Sequence, residues 1–153
     1  MGIHSANFNL RVYGLFFNSI GEILISDEFQ LNRKMTKFPG GGLKQGEGLV
    51  DCLKREMREE CNQEITNIKH FYTTDFYQKA LFYENMQLIS VYYYAELIEP
   101  IKFKIYKTSF DFPENKNGQQ SFRWVNMETF HQDELSFPID QFVFDMLKTI
   151  PGN

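Results

Sequence analysis

The segment that most limits what this chain can fold into is Phe38-Pro39-Gly40-Gly41-Gly42, with Gly46-Glu47-Gly48 close behind it. Consecutive glycines after a proline have no side chains to pack and no preference for helix or strand, so the stretch reads as a loop and not as a regular element. Glycine also permits backbone to approach a neighbour that a side chain would keep away. From Leu49 the pattern turns helical. Leu49, Leu53 and Met57 recur at i, i+4 and i+8 with Val50 beside them, a narrow apolar stripe. Asn62 follows, a residue that tolerates the left-handed turn that ends a helix. The spacing predicts a helix over residues 49–61, entered from the glycine loop.

The opposite face of that helix is acidic. Glu56, Glu59 and Glu60 stand at i, i+3 and i+4, so they are neighbours that repel unless water or a cation lies among them. Lys54, Arg55 and Arg58 are at hand for ion pairs, and the helix alone reads more simply as a solvated charged face. The glycine loop shifts the balance, because it sets bare backbone beside the carboxylates. Hard cations such as Mg2+ take oxygen ligands of this kind. The net charge of -4 bears on the same point. A mildly acidic protein that handles phosphate needs a cation to offset the charge. No basic run exceeds two residues, so no nucleic-acid surface is expected.

The loop and helix together resemble the Nudix signature: G, five residues, E, seven residues, R-E, an aliphatic, one residue, E-E, one residue, G, an aliphatic. Gly41, Glu47, Arg55, Glu56, Met57, Glu59 and Glu60 match at their spacing, which is seven of the nine specified positions. Asn62 and Gln63 depart from it. Asn still accepts a left-handed turn, and Gln63 suggests a less buried exit from the helix. The resemblance implies roles. Glu56, Glu59 and Glu60 would bind Mg2+ or Mn2+, with the Gly40 carbonyl as a further ligand, and these glutamates would be the catalytic residues, Glu56 the candidate general base. Arg55 would pair with Glu47 and orient the helix behind the metal ligands. It implies a nucleotide pyrophosphohydrolase that cleaves a phosphoanhydride bond of a nucleoside diphosphate linked to another moiety, or of a nucleoside triphosphate. The substrate-binding residues stay open. Many relatives carry another acidic residue ahead of the strand that here holds Trp124. This chain has amides there, Asn115 to Gln120. That feature favours an alternative, a non-catalytic nucleotide-sensing module.

The implied fold is an α/β class Nudix-like α/β/α sandwich with a mixed, largely antiparallel β-sheet, in one domain over residues 1–153. The patterns agree with it. Residues 8–17 read as a strand, 22–26 as a second strand forming a hairpin with it, and 27–37 as a polar loop with a short strand at most. Residues 65–83 and 86–98 read as long strands, 103–110 as another, and Phe122–Val125 as a short one. A helix over 138–150 starts with Pro138 at its first position, takes Ile139, Phe142, Val143, Met146, Leu147 and Ile150 as its apolar face, and stops at Pro151-Gly152. With 42% apolar and 16% aromatic residues, disorder is not expected.

Other residues carry less. Cys52 and Cys61 sit nine residues apart on one helix, about 13 Å of rise, too far for a disulfide. Reduced thiols and the lack of a signal or membrane segment suggest a cytoplasmic protein. His4, His70 and His131 are scattered without metal spacing. Arg11, Arg33, Lys34 and Lys37 precede the glycines and could meet phosphates, though a solvated loop explains the last three equally well. The expected partner is a small-molecule nucleotide derivative, with no nucleic acid and no membrane; a homodimer is left open.

Overall fold

The computed structural model describes residues 7–150. His4 and the Pro151-Gly152 stop lie outside them. Two sheets form. The first, in the order β4-β1-β6-β5, joins β1 (Phe8–Leu15), β4 (Gly40–Gly42), β5 (Ile65–Thr73) and β6 (Gln87–Leu97). The second, β3-β2-β7, joins β2 (Ile23–Gln30), β3 (Arg33–Lys37) and β7 (Gln119–Val125). β1 and β6 run parallel, while the other strand pairs are antiparallel. Helix α1 (Leu49–Cys61) and helix α2 (Pro138–Thr149) cover opposite faces. The reason is strand alternation. Tyr13, Leu15, Ile23, Ile25 and Tyr92 pack with α2, whereas Val12, Leu24, Val91 and Tyr93 pack with Leu53 and Met57 of α1. The mixed, largely antiparallel α/β/α arrangement is as expected, with its strands divided between two sheets.

Several local expectations change. The glycines are not a loop: Gly40–Gly42 pair with β1 as a short strand, in the register Tyr13↔Gly40 and Arg11↔Gly42. The first hairpin shrinks to a single Phe17↔Ile23 bridge, because β2 leaves for the other sheet. Residues 27–37 are strand, not loop. β2 and β3 form a tight hairpin whose turn residues Leu31 and Asn32 have φ of 51° and 58°, the twist that suits a two-residue connection. Their polar residues are buried in pairs. Asp27 is fully buried and accepts from Arg123 Nε at 2.7 Å and Thr36 Oγ1 at 2.8 Å. Strand β5 ends at Thr73, and 103–110 contributes one bridge, Ile105↔Phe122.

Helix α1 has the expected bounds, and Asn62 takes the left-handed turn at φ 53°. Its buried side is Cys52, Leu53, Met57 and Cys61, while Val50 is exposed. Gln63 corrects the expectation of a less buried exit. It is fully buried, donates to the Ile98 carbonyl at 2.7 Å, and accepts from the Lys102 amide at 2.9 Å. On α2 the buried side is Ile139, Asp140, Val143, Phe144 and Leu147. Phe142 is exposed, with its ring near those of Tyr72 and Phe76. Both cysteines are free thiols, and burial first of all pushes each up to about 12. Among the described residues no helix is long and apolar enough to cross a membrane.

Candidate active site

The glycine strand brings two elements into contact that side chains would hold apart. A Cβ on Gly40, whose φ is 142°, would lie 2.1 Å from the Val12 carbonyl oxygen. A Cβ on Gly41 would lie 2.5 Å from the carboxyl carbon of Glu56. One glycine therefore lets the strand lie against β1, and the next lets a helix carboxylate lie against the strand. At Gly40 the obstacle is backbone and glycine is required; at Gly41 it is the end of a side chain, which a Cβ would displace.

Arg55 fastens this arrangement. It donates to Glu47 through Nε at 2.8 Å and Nη2 at 2.7 Å, to the Gly42 carbonyl at 2.9 Å, to Glu56 Oε1 at 3.0 Å and to Glu59 Oε2 at 3.1 Å. A planar guanidinium suits such a fork. The Arg55 hydrogen bonds, seconded by the Lys44 amide, pull the Glu47 carboxyl down to about 2. Loop and helix are locked by one residue, in the placement the sequence suggested for Arg55 and Glu47.

The three acidic candidates separate. Glu56 and Glu60 line a cleft of about 340 Å³ together with Gly40 and Gly41. Among the described residues, no donor reaches Glu56 Oε2. Glu59 does not line the cleft. Its side chain is 53% exposed and pairs with Arg55 and Lys44. Glu60 lies deeper. Burial raises its carboxyl to about 7, Lys37 opposes this, and the charges of Glu28 and Glu56 add to it. Gln120 Nε2 donates to Glu60 Oε2 at 3.3 Å, so the amide noted ahead of Trp124 touches the acidic cluster directly.

Of the four basic residues that precede the glycines, Arg11 and Lys37 line the cleft; its other walls, the glycines and helix carboxylates apart, come from residues with little or no signal in the sequence. Arg11, Tyr13, Ser90 and Tyr92 line it from β1 and β6, and Glu28 and Lys37 from the second sheet. Arg11 Nε donates to Tyr13 Oη at 2.7 Å. Arg33 and Lys34 instead lie over Phe82 and Phe110. Asp140 enters from α2, buried, with Tyr92 Oη donating to its Oδ1 and with Oδ2 unpartnered. Burial raises the Asp140 carboxyl to about 6. The available signal was weak: a carboxylate at the start of an apolar helix, one position off the stripe chosen.

Among the described residues, no three His, Cys, Asp or Glu side chains close into a metal cluster. Two carboxylates facing a cleft, a nearby backbone carbonyl and room for an anion still suit Mg2+, which usually takes one or two carboxylates and completes its shell with water and phosphate. The raised Glu60 carboxyl is the mark of an acid buried without enough positive charge. These residues fit a hard divalent cation.

An α/β/α sandwich in which a glycine strand packs against helix carboxylates beside a cleft defines the class of this protein. A family profile described as NUDIX domain matches residues 8–146, and the chain belongs to that family. Solved structures share the fold. A MutT structure from work on Aliivibrio salmonicida and Vibrio cholerae is 22% identical with a TM-score of 0.58, covering 92% of this chain and 97% of that one. A NUDIX hydrolase from Nitrosomonas europaea is 14% identical at 0.64, covering 92% and 89%. MutT from Methanosarcina mazei is 17% identical at 0.60, covering 97% and 100%. No curated protein sequence matches the chain.

Proposed function

We propose that this protein is a divalent-metal-dependent Nudix hydrolase that cleaves a phosphoanhydride bond in a nucleoside diphosphate linked to another moiety, or in a nucleoside triphosphate. The observation that carries the reading is the Glu56 carboxylate held against Gly41, with Glu60 and the Gly40 carbonyl on the same cleft. Glu56, Glu60 and Gly40 would hold Mg2+ or Mn2+; Glu59, outside the cleft, would have to leave Arg55 and Lys44 to join them. Such an ion supplies an activated water at neutral pH and charge stabilisation for the leaving phosphate oxygens. Glu56, held by Arg55 at Oε1, would be the proton acceptor for that water where Glu60 and the Gly40 carbonyl carry the ion in its stead. Arg55 and Glu47 act by position, fixing the helix against the glycine strand. Arg11 faces the substrate's anionic part. The cleft is of small-molecule size, which suits a nucleotide derivative and not a polymer. Two reduced, buried thiols suit a cytoplasmic setting.

A second reading, a nucleotide-sensing module without turnover, is favoured by one contact: Gln120 offers Glu60 an amide where an acid was expected. The test is a panel of nucleoside diphosphate derivatives and triphosphates with Mg2+ or Mn2+, scored by released phosphate products. The hydrolase reading requires turnover that Glu60→Gln removes. Binding without turnover on every member supports the sensor.

A further inference from the structure

Lys37 ends β3 inside the acidic part of the cleft and is only 4% exposed. Burying an ammonium is costly unless oxygens surround it. Here Nζ donates to the Gly40 carbonyl at 3.0 Å and the Phe38 carbonyl at 3.5 Å, and lies 3.0 Å from Glu28 Oε2. The Tyr13 ring lies 5.5 Å away. Burial works against the charge, but Glu28 and Glu60 outweigh it and hold the amine protonated. Two of these oxygens have another claim on them. The Gly40 carbonyl is the backbone oxygen assigned to the divalent cation. Glu28 Oε2 is buried and accepts no well-formed hydrogen bond, although the ammonium is close. Two carbonyls and a carboxylate, with Glu60 near enough to feel the charge, form an oxygen cage of the kind a hard cation takes.

We propose that Lys37 is a built-in substitute for one divalent cation. Its ammonium holds the place between the Gly40 carbonyl and Glu28, so the protein itself supplies that positive charge to the substrate's phosphates and leaves only the Glu56–Glu60 side open to metal. This inference rests on the hydrolase reading of the same cleft. A compact ammonium is suited to the role because it is a point charge with three donors and no fixed plane. A guanidinium is too broad for a place bounded by backbone carbonyls. Arg11 stands at the other end of the glycine strand, its Nη1 3.8 Å from where a Gly42 Cβ would be. The strand is thus flanked by a cation at each end, and Lys37 is the one that occupies a metal ligand.

The test is Mn2+ binding without nucleotide, followed by the electron spin resonance of free Mn2+ and by calorimetry, on the wild type, K37M, E28Q and K37M/E28Q. A divalent ion a few Å from an ammonium is strongly repelled even at an effective dielectric constant of 20. K37M is therefore expected to bind Mn2+ on the order of tenfold more tightly than wild type, or to take up one more ion per chain. If K37M leaves Glu28 unpaired and fails to fold, the same gain is expected in K37M/E28Q relative to E28Q, where neither charge is stranded. Unchanged Mn2+ affinity and stoichiometry in both comparisons, with only the melting temperature lowered, would make Lys37 a structural ion pair and overturn the proposal. Failure of the hydrolase reading looks different. In that case the wild type turns over no nucleotide, and neither it nor the lysine variants binds Mn2+, which removes both claims together.

Discussion

Alanine at Gly41 and at Gly40 should fail in opposite ways. A Cβ at position 41 meets the Glu56 carboxyl carbon at 2.5 Å and its oxygens at 2.5 and 2.7 Å. Ordinary contact begins near 3.4 Å, so the carboxylate must retreat by about 0.9 Å (3.4 minus 2.5). It can do so at modest cost, because it is the far end of a flexible side chain held only by Arg55 at Oε1; the cost is at the low end of overpacking, about 1 kcal/mol. For a domain of this size that lowers the melting temperature by roughly 2–4 °C. Displacing a metal ligand by that distance is far more damaging, since coordination geometry tolerates only tenths of an ångström. Gly41→Ala is expected to lower Mn2+ affinity at least about tenfold while staying folded. At Gly40 the clash is with backbone, 2.1 Å from the Val12 oxygen, at a φ of 142°. Nothing there can turn aside, so Gly40→Ala should lose about 3 kcal/mol or more of stability. Thermal melts with and without Mn2+, beside calorimetric titration, measure both effects. A Gly41→Ala protein that binds Mn2+ as wild type does would refute the argument that this contact sets the metal site.

Three further outcomes follow from the same geometry. Glu60→Gln should reduce turnover far more than Glu59→Gln, because Glu60 is inside the cleft and Glu59 is half exposed outside it; equal losses in steady-state assays would contradict the separation. The Glu60 carboxyl, raised to about 7 mainly by burial, is protonated below that pH. Mn2+ affinity should therefore climb as pH rises to about 7 and then level off, with protons released on binding below it; a profile flat from pH 5.5 to 8 would count against this. Asp140, raised from 3.8 to about 6, binds its proton more tightly folded than unfolded. Its contribution is thus fully present below about 3.8 and is lost as pH rises through about 6. In denaturant titrations Asp140→Asn should be relatively more stable at pH 7, and its advantage over wild type should shrink by up to about 3 kcal/mol by pH 4. A difference that does not change with pH would remove Asp140 as its cause.

What could be read from the linear chain was local. The spacing of Leu53, Met57, Glu56 and Glu60 places core and carboxylates on different sides of one helix because the helical period is a property of neighbours. Asn62 ends that helix through its own backbone tolerance, and Glu47 lies within one guanidinium's reach of Arg55. Residues 27–37 could not be read this way. Asp27, Glu28 and Lys37 look solvated until β7 supplies Arg123 to Asp27 and the β2–β3 hairpin pairs Lys37 with Glu28, which makes burial tolerable. Gln63 is buried for the same reason, its amide satisfied by backbone near residues 98 and 102. Nor does periodicity choose between Phe142 and Phe144 on α2, since a stripe one position over fits equally well until a sheet covers one of them. The sequence by itself determined the glycine strand's freedom to approach, the acidic helix and the family to which both belong. Only the tertiary structure decided which carboxylates share the cleft, that Gln120 and Lys37 join them, and that Asp140 enters from the far helix. Those placements depend on contacts between residues tens of positions apart, which the order of residues along the chain does not contain.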